Sequence, residues 1–308
     1  MAQTKRYVLA NATTLSADAS YHDGIYGASV VPVASNVVYF TEGNALITGG
    51  LTALNSALAH VAFNNGFGGT LGGAGSSATI GCNTNGGTGE FGVDGASTGV
   101  EKLVYGAGGG RAYITAGTSG IDVVRADSKG KLFLTGGTIN TRVELVDGEL
   151  DINDTTVLSA VTVEIWGGNY RIDWKNDATN PTYNLYGGSG LILRSGGAIT
   201  INGGHHTFNV EREAGISTGA VVINGGSVDW RSGNMPAAAL SFLGGEVSFA
   251  NATRAIDLSA ATAVVLGNTK MKFGGPAGAK VTWPASSAFQ LKSGTAAQTF
   301  ARVAADTV

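Results

Sequence analysis

A glycine step returns through this chain about every 20 residues, each time between runs of alternating apolar residues. It is clearest in Val163-Glu164-Ile165-Trp166-Gly167-Gly168-Asn169-Tyr170-Arg171-Ile172 and in Ile199-Thr200-Ile201-Asn202-Gly203-Gly204. Leu132 to Ile139, Val221 to Val228 and Leu240 to Val247 carry it too. The turn glycines Gly148, Gly167, Gly187, Gly203, Gly225, Gly244 and Gly267 are separated by 19, 20, 16, 22, 19 and 23 residues. A period of this size marks a solenoid or array. Hairpin meanders also use two-residue turns. The recurrent phase of the glycine step, and a period that suits one coil of short strands and corners, favour an all-β, single-chain parallel β-helix (β-solenoid). The right-handed form is expected from the handedness of parallel crossovers.

Composition agrees with this architecture. Glycine fills 49 of 308 positions, well above its usual share of about 7%. Charged residues are only 13% of the chain. At a corner the backbone turns sharply, often through φ > 0, which glycine adopts without a Cβ penalty. Coils stack about 4.8 Å apart, so a bulky corner side chain also meets the coil beside it. Like charges stacked directly above one another repel, so identical outer faces are best kept short of charge. Thr, Ser and Asn can hydrogen-bond along the stack instead.

The chain divides into four stretches by pattern. Residues 1–40 form an irregular entry or attachment segment with the β-branched run Val37-Val38-Tyr39-Phe40. Residues 41–130 are a glycine-rich, irregular β region. Residues 131–284 hold the regular coils. Residues 285–308 form a cap or arm, since an open solenoid end exposes unpaired strand edges. One short helix is expected from the apolar spacing of Leu51, Leu54, Ala57 and Leu58, leading into the strand Val61-Ala62-Phe63.

Several function classes fit poorly. A net charge of −3 gives no basic field for nucleic acid. There is no apolar run long enough to span a membrane as a helix, and no signal-peptide core follows the initiator Met. The chain is therefore read as complete and working without classical export. The lone Cys82 allows no intramolecular disulfide and no cysteine-rich zinc site. It is read as a small buried hydrophobe, with a reactive thiol or an intermolecular disulfide as the alternatives.

Candidate chemistry is sparse. The carboxylates Asp147, Glu149, Asp151, Asp154, Asp173, Asp177 and Asp229 lie on or near the coils. Asp151 and Asp173 are about one coil apart, as are Glu149 and Arg171, so each pair could stack. Paired acids on one face are what glycoside chemistry needs, whereas Asp is equally a turn residue. His205 and His206 would point to opposite faces of a strand, which argues against a shared metal. His22 and His60 stand alone. Residues 66–73 and 106–110 resemble phosphate loops only in glycine content, with no Gly-Lys-Ser/Thr. Trp166, Trp174, Trp230, Phe242, Phe249, Phe273 and Trp283 read mainly as core, with at least one of Trp166 and Trp174 turned outward as a saccharide or partner platform. No catalytic, cofactor-binding or metal-binding residue is assigned, and no cofactor.

The segment Val38-Tyr39-Phe40-Thr41-Glu42-Gly43-Asn44-Ala45-Leu46-Ile47-Thr48-Gly49-Gly50-Leu51-Thr52-Ala53-Leu54 carries a further signal. It is followed by Leu58-Ala59-His60-Val61-Ala62-Phe63-Asn64-Asn65-Gly66-Phe67-Gly68-Gly69-Thr70-Leu71-Gly72. Together they resemble the N-terminal part of glycine-rich β-solenoid virion proteins of tailed bacteriophages, which include capsid decoration or cement and tail-spike-like proteins. The resemblance covers about residues 36–82 by motif and the rest by composition and period. It implies a non-enzymatic structural protein of the virion, assembled in the host cytoplasm. It implies the major capsid protein or other virion proteins as partners, and a homotrimer. It transfers no functional residue. The alternatives are a tail-spike or fibre that binds a cell-surface polysaccharide, a polysaccharide-degrading β-helix enzyme, and a surface adhesin. Neither nucleic acid nor membrane is expected as a partner.

Overall fold

The computed structural model describes the strands at residues 5–8, 21–22, 37–40, 46–47, 60–63, 70–71, 77–78, 83–85, 90–93, 96–97, 100–105, 111–114 and 121–126. Beyond them it describes residues 131–153, 156–158, 161–173, 181–194, 197–209, 219–234, 238–274 and 281–291. The expected helix over residues 51–60 lies outside these except for His60, which opens the strand His60–Phe63 instead; Cys82, residues 106–110, most of residues 66–73, Asp154, Trp174, Asp177 and the end of the tail also lie outside them. The described residues are β-strands, corners and one 3-10 turn at Ser286–Ala288. The chain forms two compact units, Met1–Val161 and Thr162–Val308. Both are β-solenoids.

In the first unit the chain alternates between two parallel sheets. Ile121–Ala126 and Thr138–Leu145 belong to one, Lys131–Leu134 and Glu149–Asn153 to the other. Register is strict: Lys131 pairs with Glu149, Leu132 with Leu150 and Leu134 with Ile152. Leu132, Leu134, Leu150 and Ile152 are buried, and the residues between them are not. Upstream, Val37–Phe40 forms a strand with Val38 and Phe40 inside, as its β-branched pattern predicts. Its neighbour Lys5–Val8 pairs in turn with Tyr21–His22, which runs antiparallel.

The second unit repeats one plan. Its first sheet stacks Thr162–Ile165, Thr182–Leu185, Ala198–Ile201, Val221–Ile223, Ala239–Phe242, Ala263–Leu266 and Phe289–Leu291. Its second sheet stacks Asn169–Asp173, Ser189–Arg194, His205–Asn209, Ser227–Ser232, Glu246–Ser248 and Lys270–Lys272. Side chains alternate, so Val163, Ile165, Leu185, Ile199, Ile201, Val221 and Ile223 fill the interior at zero exposure. Each such aliphatic side chain contributes roughly 1.5–3 kcal/mol on burial. Aromatic rings finish the far end of this core, where Phe208 meets Trp230 edge-on and Trp230 lies against Phe249.

At the corners that lead from the first sheet of the second unit into its second sheet, the second glycine answers to two constraints, backbone conformation and crowding, and the first to crowding alone. The second of each pair has positive φ: 70° at Gly168, 76° at Gly188, 83° at Gly204, 71° at Gly226 and 74° at Gly245. The first is excluded from having a side chain by the preceding coil. A Cβ on Gly225 would sit 2.6 Å from the Asn202 carbonyl oxygen. The backbone is closely knit at these corners. The Asn224 and Gly225 N–H groups both donate to the Ile201 carbonyl, at 2.7 and 3.3 Å, and Ser227 N–H donates to the Gly204 carbonyl at 2.9 Å. Every coil from Tyr186 to Leu243 repeats this set.

Three glycine positions differ from the expected phase. Gly148, with φ of 93°, directly precedes the strand Glu149–Asn153, so it matches the second glycine of a pair, and Asp147 holds the first place. Gly267 falls one residue early. Leu266 pairs with Phe242 and Lys270 with Glu246, which sets Gly267 beside Leu243, Asn268 beside Gly244 and Thr269 beside Gly245. In the first unit Gly136-Gly137 turns from the strand Lys131–Leu134 into Thr138–Leu145, the opposite corner to that of Gly148, which leads back to the sheet of Lys131–Leu134. The local patterns are alike because any tight corner between alternating strands selects glycine.

Candidate functional site

Three places carry polar or aromatic groups that the core itself does not demand. The first is the outer side of the second sheet. Here successive coils place charges in register, and opposite charges pair. Asp173 accepts from Arg194 Nε at 2.7 Å and Nη2 at 2.6 Å, and from Arg171 Nη2 at 3.1 Å. A bulge between Ile172 and Asp173 sets Asp173 beside Arg194. Asp229 is almost covered, 7% exposed, by Arg231 Nε at 2.7 Å and the Asn251 amide at 3.2 Å. Glu246 lies between Lys272 at 2.5 Å and Lys270 at 3.2 Å. These two ammonium groups, Lys272 foremost, hold the Glu246 carboxyl below the usual carboxylate range.

The described carboxylates named from the sequence each sit in an ion pair, a turn or a strand register within their own unit. In the first unit Glu149 bonds Lys131 at 2.6 Å, its register partner. Asp147 Oδ1 accepts the Gly148 N–H at 2.8 Å, which is a turn former's role. Asp151 pairs in register with Phe133. In the second unit Asp173 is bound by two arginines. Glutamate 144, which was not singled out from the sequence, is nearly buried between Arg142 at 2.9 Å and Arg125 at 3.5 Å. Among the described residues no group of three His, Cys, Asp or Glu is arranged to hold a metal ion.

The second place is the outer corner that leads each coil into its glycine pair. Trp166, Tyr186, Asn202 and Asn224 hold this position on successive coils, each ahead of its glycine pair. Trp166 and Tyr186 stack with centroids 4.1 Å apart and planes 12° apart, yet stay 52% and 38% exposed. Asn224 Nδ2 donates to Asn202 Oδ1 at 3.0 Å, continuing the row as an amide ladder. Thus Trp166 faces outward, as does Phe273 at 52% exposure, whereas Trp230, Phe242 and Phe249 are core.

The third place is inside. His205 and His206 point to opposite sides of their strand. His205 is exposed and its Nδ1 meets Ser227 Oγ at 2.5 Å. His206 is fully buried. Its Nε2 lies 2.6 Å from the Gly203 carbonyl, and its Nδ1 lies 2.6 Å from the Tyr170 hydroxyl. A carbonyl only accepts, so Nε2 carries the hydrogen and Nδ1 accepts from Tyr170. Burial holds His206 below the ordinary histidine value and raises Tyr170 above that of a free phenol, so both are neutral at pH 7. The Tyr183 hydroxyl is also buried, and it has no hydrogen-bond partner.

No family model, curated protein or solved structure matches this chain.

Proposed function

We propose that the chain is a structural virion protein of a tailed phage, a capsid decoration or cement protein that binds and stabilises the head surface. One observation carries this reading most directly: the outer charges are satisfied by one another. Asp173, Asp229 and Glu246 each accept from two side-chain donors, in an arrangement that braces stacked coils. A glycoside hydrolase needs instead a pair of carboxyl groups, one kept protonated as the acid. Closely knit corners and few charges suit a rigid, protease-resistant body, and the resemblance of residues 36–82 points the same way. The partners would be the major capsid protein or other virion proteins, with self-association as a trimer. Electron microscopy of the source particle, with and without this chain, tests the proposal. Solenoid density on the head is the expected result. Particles that lack the chain, or depolymerisation of bacterial polysaccharide by the purified protein, would overturn it.

A second reading is favoured by the exposed Trp166–Tyr186 stack beside the Asn202–Asn224 ladder. Aromatic and amide groups in one row suit a tail-spike or fibre that binds a cell-surface polysaccharide. Replacing Trp166 by Ala separates the two. Loss of binding to host polysaccharide or to cells supports the receptor-binding reading. Unchanged attachment to the particle, with no glycan binding in the unaltered protein, supports the decoration reading.

A further inference from the structure

The interior of the second unit holds a hydrogen-bonded pair that neither the corners nor the outer charges require. Tyr170, Gly190 and His206 share one inward column on three successive coils. Gly190 leaves this column empty at its level, and a Cβ there would run into the Tyr170 ring. The ring fills that gap, and its hydroxyl reaches His206 two coils away. Both ring nitrogens of His206 and the Tyr170 O–H hydrogen are each used once. An added proton has no place: with Nδ1–H formed, the Tyr170 hydroxyl must accept, and its own hydrogen loses the acceptor it had.

We propose that the Tyr170–His206 pair is an acid-sensitive latch: a proton taken up by His206 breaks it and opens the coils between Asn169 and Asn209 ahead of the rest of the unit.

Among the described residues around it, none brings a counter-charge to the imidazolium. On the same strand Phe208 points inward and His205 outward, and a charged His205 adds repulsion. On the neighbouring strands of the sheet, Ile172, Ile192, Val228 and Trp230 point inward and are buried. The charged groups there, Arg171, Asp173, Arg194, Asp229 and Arg231, form ion pairs on the outer side. Across the interior, Thr182–Leu185 and Ala198–Ile201 send in Tyr183, Leu185, Ile199 and Ile201, of which Tyr183 alone ionises, and burial raises its pKa. Burial lowers the folded-state pKa of His206 below its unfolded value of about 6.5. The folded state therefore binds fewer protons than the unfolded one. The stabilising contribution is complete above about pH 6.5 and is lost as pH falls below it.

Hydrogen exchange measured between pH 7.5 and 4.5, corrected for intrinsic rates, reads the latch. Protection of amides in residues 189–209 is expected to fall by up to about tenfold per pH unit below 6.5, with residues 240–266 less affected. The double variant Tyr170→Phe/His206→Leu replaces both partners by apolar groups, and its protection in residues 189–209 should lose this pH dependence. If the variant keeps the full dependence, the latch is wrong. Histidine NMR of the unaltered protein gives a second test that needs no variant. A neutral Nε2–H tautomer that persists below the unfolded-state value of about pH 6.5 is expected. Titration of the His206 ring near pH 6.5 with the coils still protected would overturn the proposal.

Discussion

Gly226→Ala puts the corner chemistry to its sharpest test. Gly226 has φ of 71°, and a Cβ there would lie 2.6 Å from the Gly203 carbonyl carbon and 2.7 Å from the Gly204 oxygen. An L-residue in this conformation costs about 1–2 kcal/mol. Forcing the coils apart to admit the methyl group costs about 1–3 kcal/mol more, as overpacking does. The displaced oxygen is the acceptor of Ser227 N–H at 2.9 Å, and losing that bond adds about 0.5–1.5 kcal/mol. Alanine also restricts the unfolded chain, which offsets about 0.4–1 kcal/mol. The net expectation is about 1.5–6 kcal/mol. Gly225→Ala isolates the collision with the Asn202 carbonyl, because Gly225 has no positive φ, and should cost about 1–2 kcal/mol less than Gly226→Ala. Solenoid arrays do not always unfold in one step, so the assay is hydrogen exchange resolved coil by coil. Protection across residues 219–232 should fall by at least about tenfold in Gly226→Ala, since about 1.4 kcal/mol is a factor of ten. Protection within about threefold of the unaltered protein, or a larger loss in Gly225→Ala than in Gly226→Ala, would refute the two-reason account of the corner.

Two further outcomes follow from the core and from the outer charges. Trp230→Ala empties a fully buried site and removes the Nε1–H bond to the Gly233 carbonyl, at an expected cost of about 3–5 kcal/mol in a denaturant titration followed through the coils around it. Glu246 has a lowered folded-state pKa, so its contribution to stability is in place above the unfolded value of about 4.3 and is lost as pH falls through the folded one. Carboxyl NMR should show Glu246 titrating below the usual range, and Lys272→Ala should move that titration upward.

The coil plan was legible in the sequence because two independent constraints act at the same recurrent place. Positive φ and the carbonyl of the preceding coil each demand glycine, so a pair of glycines survives at nearly every corner that leads from the first sheet of the second unit into its second, and the period shows through. The same redundancy hid the finer roles. With glycine at both positions, nothing in the letters says that Gly188 bends the chain as well as yielding to the preceding coil, while Gly187 only yields. The phase slipped at Gly148 because Asp147, a turn former, stands where a first glycine is usual. At the last coil it slipped because Asn268 and Thr269 replace the pair, with Thr269 Oγ1 donating to the Gly244 carbonyl at 3.1 Å. Alternation also sorted His205 from His206, since adjacent strand residues face opposite ways. It could not say what His206 meets inside, because that partner lies 36 residues away and two coils along. The signal was present in a different form. Gaps of 20 and 16 residues, read as register rather than as period, bring Tyr170, Gly190 and His206 into one column. A glycine at an inward position has no corner to turn, and in a closely packed interior an empty rung must be filled from a neighbouring one. An inward glycine flanked one coil away on each side by a long polar side chain is therefore the pattern by which a buried pair across two coils can be sought in a solenoid sequence.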